Sequence, residues 1–162
     1  MKKEIQSMLE MKLIGICVRT NNAQEANPET SKIGALLAQF FSQNMAQSIP
    51  DRKNRGVTIC CYTEYDSDAQ GDYLYFVGEE VTSLNDIPDF LKGLTISASK
   101  YTKFTTDEGQ MPAVVISAWQ EIWQMSAYNL GGERTFQADF EIYDHRALDP
   151  ARTVVDLFIG IK

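Results

Sequence analysis

The sequence predicts an α+β fold: two strand-helix-strand-strand units related by a pseudo-twofold axis, carrying a largely antiparallel, curved sheet, two main helices and a central cleft. Three observations carry this. Two amphipathic helical patterns share one apolar spacing, each pattern is preceded by one strand-like run and followed by two, and matched residues recur at a near-constant separation. Leu37 and Trp119, Phe41 and Trp123, and Gly78 and Gly160 are each 82 positions apart, whereas Tyr65 and Tyr143 are 78 apart. The difference falls in connecting loops, where insertions cost little.

The first run, KLIGICVRTN from Lys12, reads as a strand. A helix is expected over about residues 28–47, because Ile33, Leu36, Leu37, Phe40 and Phe41 fall at i, i+3, i+4, i+7 and i+8. Asn27 is placed to cap it, with Pro28 at the first helical position. VTICCYTEYD and DYLYFVGEEV follow as strands joined by the polar turn SDAQG, which closes the first half near residue 88. SLNDIPDFLKG, ending at Gly93, reads as the link.

The second half, residues 94–162, repeats the order. LTISASKYTKF from Leu94 reads as its opening strand. A helix over about residues 111–127 sets Val115, Ala118, Trp119, Ile122 and Trp123 at the same offsets as its counterpart. TFQADFEIYD and TVVDLFIGIK close the unit, joined by HRALDPAR, and the 162 residues are expected to form a single domain with both helices on the core side of the sheet.

Composition narrows the function. With 44% hydrophobic and 10% aromatic residues the chain can bury a substantial core. Its net charge of -7 is the wrong sign for a direct nucleic-acid binder, since phosphate-backbone affinity comes from clustered Lys and Arg. No run approaches the ~18 consecutive apolar residues of a membrane span, and acidic residues interrupt the N-terminal segment, so a cytoplasmic protein is expected. Cys17, Cys60 and Cys61 cannot all pair and read as reduced thiols. One histidine, His145 in a polar turn, is too little for a histidine metal site or a Ser-His-Asp triad, and no phosphate-binding glycine motif occurs. No metal or other cofactor is expected.

The strand ADFEIYDH carries the most informative chemistry. Strand alternation places Phe136, Ala138, Phe140 and Ile142 on one face, which reads as core, and Gln137, Asp139, Glu141 and Tyr143 on the other. That second face is either an outer surface or the floor of a cleft along the twofold axis. In a cleft, Glu141 would favour a cationic guest, because a carboxylate removed from water needs a partner. Trp119 and Trp123, on one helix face, read as core packing or as cleft walls. Tyr73 and Tyr75 share one strand face, as do Tyr65 and Thr63 on the neighbouring strand; they read as cross-strand packing or as ligand contacts, with Tyr143. In the repeat alignment Glu141 matches Thr63, and Trp119 matches Leu37.

AWQEIW with ADFEIYD and the closing VVDLFIGIK, echoed by GDYLYFVGEEV in the first half, resembles the GyrI-like, or effector-binding, domain of bacterial transcription activators of the AraC and MerR types. The resemblance spans about Lys12 to Lys162. It implies a duplicated strand-helix-strand-strand fold with a ligand pocket between the halves, where an acidic residue matching Glu141 sits among aromatic side chains in members that bind lipophilic cations. Regulators of the family carry a separate DNA-binding domain, for which the ten or so residues ahead of the first expected strand are too few. The expected function is therefore a stand-alone binder of amphipathic, cationic organic compounds, acting as a ligand sensor or sequestering factor in transcription regulation or drug response. Glu141, Trp119, Trp123, Tyr143, Tyr75, Tyr65 and Tyr73 are the candidate ligand-binding residues. Two alternatives stand beside it. The resemblance also implies hydrolysis of reactive electrophiles, with Glu141 as base and Tyr143 or Tyr75 as donor, or a protein-interaction role like that of a gyrase-inhibiting relative.

Overall fold

The computed structural model describes all 162 residues. Eight strands, β1 (Lys2–Met8), β2 (Met11–Thr20), β3 (Thr58–Thr63), β4 (Tyr73–Val81), β5 (Lys92–Ile96), β6 (Ser99–Thr105), β7 (Arg134–Tyr143) and β8 (Asp156–Ile161), form one sheet in the order β1-β6-β8-β7-β3-β4-β2-β5. Every pairing is antiparallel. The helices are α1 (Asn22–Ala26), α2 (Ile33–Ser42), α3 (Ala113–Trp123) and α4 (Ala127–Leu130).

The order is symmetric about the β7-β3 seam. Outward from it run β7-β8-β6-β1 on one side and β3-β4-β2-β5 on the other, so the equivalent strands β3 and β7 meet at the centre. The edges are exchanged between the halves. β1 leads into β2 but pairs with β6, and β5 leads into β6 but pairs with β2. Neither edge strand was expected: the residues ahead of Lys12 form β1, the end of the supposed link starts β5, and LTISASKYTKF is split into β5 and β6.

The helix at 28–47 is also shorter than expected. Asn27 and Pro28 lie in a turn, and Asn21 caps the separate helix α1 by accepting from the Gln24 amide at 2.8 Å. The start of α2 is capped from a distance: Glu25 accepts from the backbone amides of Lys32 and Ile33 at 2.9 and 3.1 Å, a carboxylate at the positive end of the helix. The second helix ends at Trp123, where a separate turn leads to α4.

Both sheet faces are buried, because β2, β3, β4 and β8 carry apolar residues at both parities. Phe140 and Ala138 belong to a core built from strands alone, in which Phe140 stacks on Phe158 at 4.6 Å and meets Tyr101 edge-on at 5.1 Å. The helices lie on the opposite face, that of Glu141, rather than with Phe140. There α2 contributes Phe40 to one cluster, and α3 packs Val115, Ala118, Trp119 and Ile122 onto Leu157, Ile159 and Ile161 in another.

Glycines permit the close strand crossings. Gly15 and Gly78 are paired directly, and a Cβ on either would run into backbone of the opposite strand. At Gly160 it would fall 2.7 Å from Thr135 Oγ1 and 2.8 Å from the Ala138 carbonyl oxygen. The recurrence of Gly78 and Gly160 at one spacing thus has a steric cause.

Candidate functional site

A cleft of about 560 Å³ opens between α2 and α3 over the β3-β7 seam. Its floor is Glu141 and Tyr143 of β7, Tyr62 of β3, and Tyr73 and Tyr75 of β4. One wall is α3, through Val115, Ile116, Trp119 and Trp123; the other is α2 with Ile33 and Leu37, and α1 with Glu25. Leu37 and Trp119, matched in the repeat, line its two walls. All seven candidate residues named from the sequence lie along this one cleft. Met111 and Pro112 rim it ahead of α3, while the turn holding His145 does not reach it.

Glu141 is 1% exposed. Its Oε2 accepts from Tyr62 Oη at 2.8 Å and from Trp119 Nε1 at 2.7 Å, and its Oε1 accepts from Tyr143 Oη at 2.7 Å. All three donors are neutral, and no Lys, Arg or His bonds to it. Burial pushes the carboxyl up from the ordinary glutamate range, while the bonds from Trp119, Tyr143 and Tyr62 pull it back by favouring the anion. Burial and the neighbouring Glu141 charge push the Tyr62 and Tyr143 hydroxyls well above the usual tyrosine value, which keeps both as donors.

Tyr62 organises the aromatic lining. Its ring meets Trp119 and Tyr75 edge-on at 5.1 Å and Tyr73 at 5.4 Å. Tyr73 Oη donates to Asn22 Oδ1 at 3.2 Å. Trp123 lies 6.2 Å from Trp119 and is 48% exposed, so it forms the mouth rather than the floor. Such a mostly apolar, aromatic pocket with one buried acid on its floor suits a small organic molecule.

A second buried carboxylate lies two positions along the same strand. Asp139 is fully buried; its Oδ2 accepts from Arg134 at 2.6 Å and from Tyr65 Oη at 2.5 Å, and its Oδ1 from the Gly160 amide at 2.8 Å. Arg134 also lines the cleft, its guanidinium 4.3 Å from the Phe136 ring centre and 6.0 Å from that of Trp119.

Three sequence expectations do not hold. Phe136 does not share the face of Phe140: a register shift between Arg134 and Asp139, with Phe136 at φ 51°, turns it toward Tyr65, 5.7 Å away. Tyr65 does not share the face of Thr63, because Glu64 at φ 48° turns the chain after β3 ends. Glu141 is not the counterpart of Thr63, whose hydroxyl bonds the Gln137 carbonyl; Tyr62, one position earlier, is on Glu141's face. That single step reverses every side chain, and it hid Tyr62 from the candidate set. The alternation of VTICCYT carried the signal, since Cys60 and Tyr62 fall on the Tyr75 side.

The family of integron-associated effector binding proteins, Cass2, matches residues 4–161. YobU of Bacillus subtilis (strain 168), which carries the name of a transcriptional regulator, is 32% identical over 148 residues, covering 91% of this chain and 90% of its own. The integron cassette protein VCH_CASS2 of Vibrio cholerae superposes with a TM-score of 0.79 at 28% identity over 99% of this chain and 95% of that one. SAV2435, solved bound to tetraphenylphosphonium, has the same fold at a TM-score of 0.77 and 18% identity, over 100% and 94% of the two chains. The resemblance to GyrI-like effector-binding domains is thereby borne out.

Proposed function

This chain belongs to the integron-associated effector binding protein family, and we propose that its cleft binds a lipophilic organic cation with Glu141 as counter-ion. The observation that carries this is the state of Glu141: a carboxylate 1% exposed, held by three neutral donors, with no cationic side chain bonded to it, on the floor of an aromatic cleft. Burial has taken its hydration away without supplying a positive charge. A guest that supplies one relieves the desolvation of both groups.

Tyr143, Tyr73 and Tyr75 line the floor and Trp119 the wall, Tyr65 adds to the lining, and the exposed Trp123 stands at the mouth. Each aromatic face seen by the cation adds about 0.5–2 kcal/mol, more where water is excluded. The tetraphenylphosphonium found in SAV2435, a protein of the same fold, supports this class of guest. Occupancy of the cleft serves as a ligand sensor or as sequestration, the former in keeping with the name of YobU.

The test compares methyltriphenylphosphonium with triphenylphosphine oxide, which match closely in shape and differ in charge. Calorimetric titration at neutral pH should show the cation bound about tenfold or more tightly, the effect of one favourable charge contact. Equal affinities, or binding of neither, contradict the proposal.

A further inference from the structure

We infer that Arg134 is a resident cation that limits the cleft to one guest charge, so that monocations are its ligand class and dications are disfavoured; this rests on the reading of Glu141 as counter-ion. Two buried carboxylates, Asp139 and Glu141, sit two positions apart on the cleft face of β7. They are treated differently. Asp139 has a protein cation, with Arg134 Nη2 2.6 Å from its Oδ2, whereas Glu141 has only neutral donors.

Arg134 is held in place as part of the cleft. Its side chain is 14% exposed, its guanidinium lies over Phe136, and it shares the lining with Trp119 and Glu141. The anchorage is incomplete, since Arg134 Nε is buried without a hydrogen-bond partner. What fixes the guanidinium is Asp139, itself immobilised by Tyr65 and the Gly160 amide. On the floor of the cleft the charges are then Asp139 negative, Arg134 positive and Glu141 negative, while Glu25 on the wall is taken up by the Lys32 and Ile33 amides at the positive end of α2. One negative charge on the floor is left for a guest, and a second positive centre reaching along the cleft would meet the guanidinium. Exchange of the charged pair for neutral residues of similar shape should leave this balance unchanged, whereas loss of one partner alone should shift it.

The experiment titrates methyltriphenylphosphonium and a short-linked bis(triphenylphosphonium) against wild type, Arg134→Gln, Asp139→Asn, the double variant and Glu141→Gln. Arg134→Gln exposes a second carboxylate, and the ratio of dication to monocation affinity should rise about tenfold, as expected for one added charge contact in a partly buried site. Asp139→Asn leaves the guanidinium without its counter-charge in the cleft that Glu141 lines, and monocation affinity should fall by a similar factor. The double variant should return both quantities to wild-type values, which a merely structural role for the pair would not do. If Arg134→Gln does not fold, Asp139→Asn and the neutral double variant decide the question alone. Sensitivity to Glu141→Gln with an unmoved ratio and monocation affinity in the other variants overturns this inference only. Binding indifferent to Glu141→Gln overturns the reading beneath it, and this inference with it.

Discussion

The indole Nε1 of Trp119 donates to Glu141 Oε2 across 2.7 Å, tying α3 to a central strand at the floor of the cleft. The contact is both a wall of the site and a control on its charge, because it favours the anionic carboxylate. Trp119→Phe keeps an aromatic wall and removes the donor. Cation affinity should fall at pH values near the raised pKa, because less of the carboxyl is then ionised, by up to about tenfold for each unit the pKa rises. Titration calorimetry with methyltriphenylphosphonium measures it, and a change within error would show that the bond does not prepare Glu141 for its guest.

Binding should depend on pH with a defined sign. The Glu141 carboxyl is raised by burial above its ordinary value of 4.5, and only its anion attracts a cation. Affinity should be level above the raised pKa and fall by about tenfold per pH unit below it, as for a single linked proton. Trp119→Phe should move the midpoint upward, since a bond that lowers the pKa has been lost. Dissociation constants measured at successive pH values locate both midpoints, and an unmoved midpoint in the variant contradicts the assignment.

The same burial makes Glu141 a cost to the empty protein. A carboxyl whose folded pKa lies above its unfolded one favours the folded state relatively at pH values below the unfolded pKa, and this advantage is lost as pH rises through the folded pKa. Glu141→Gln can keep the local bonds, with its amide oxygen accepting from Trp119 and Tyr62 and its NH2 donating to the Tyr143 oxygen. The empty variant should therefore melt higher than wild type at neutral pH, by about 2–4 °C for each kcal/mol gained. The difference should vanish below pH 4.5, the ordinary glutamate value. Melting curves at several pH values check this; a lower melting temperature at neutral pH would show that Glu141 is already compensated within the protein.

The glycines at the strand crossings offer a test of the fold itself. Gly78→Ala sets a Cβ against the Ile14 backbone, and Gly160→Ala sets one 2.8 Å from the Ala138 carbonyl oxygen, with rigid backbone on the receiving side. Each should cost about 1–3 kcal/mol or more in urea unfolding, as overpacking does. Gly34→Ala, at an open helical position, should be neutral or slightly stabilising.

What could be read from the sequence was what recurs locally. The paired spacings of Leu37 with Trp119 and of Gly78 with Gly160 reflect a duplicated unit, and the Glu141 and Tyr143 parity on β7 is a strand property. The exchanged edges were not legible, because β1 and β5 acquire their roles by pairing with the opposite half, far away in sequence. Positive φ at Glu64 and Phe136 reorients Tyr65 and the start of β7 without a glycine to mark either site. The Arg134-Asp139 pair depends on that same irregularity, which brings two residues five positions apart into contact.

The most direct measurement of the central claim is the affinity of Glu141→Gln for methyltriphenylphosphonium and for neutral triphenylphosphine oxide, each against wild type. Affinity for the cation should fall by about 1–3 kcal/mol, the range for a contact with a charged group, while affinity for the oxide stays within about twofold. Equal losses for both compounds, or no loss for either, would show that the buried carboxylate is a structural element of the sheet and not the seat of a cationic guest.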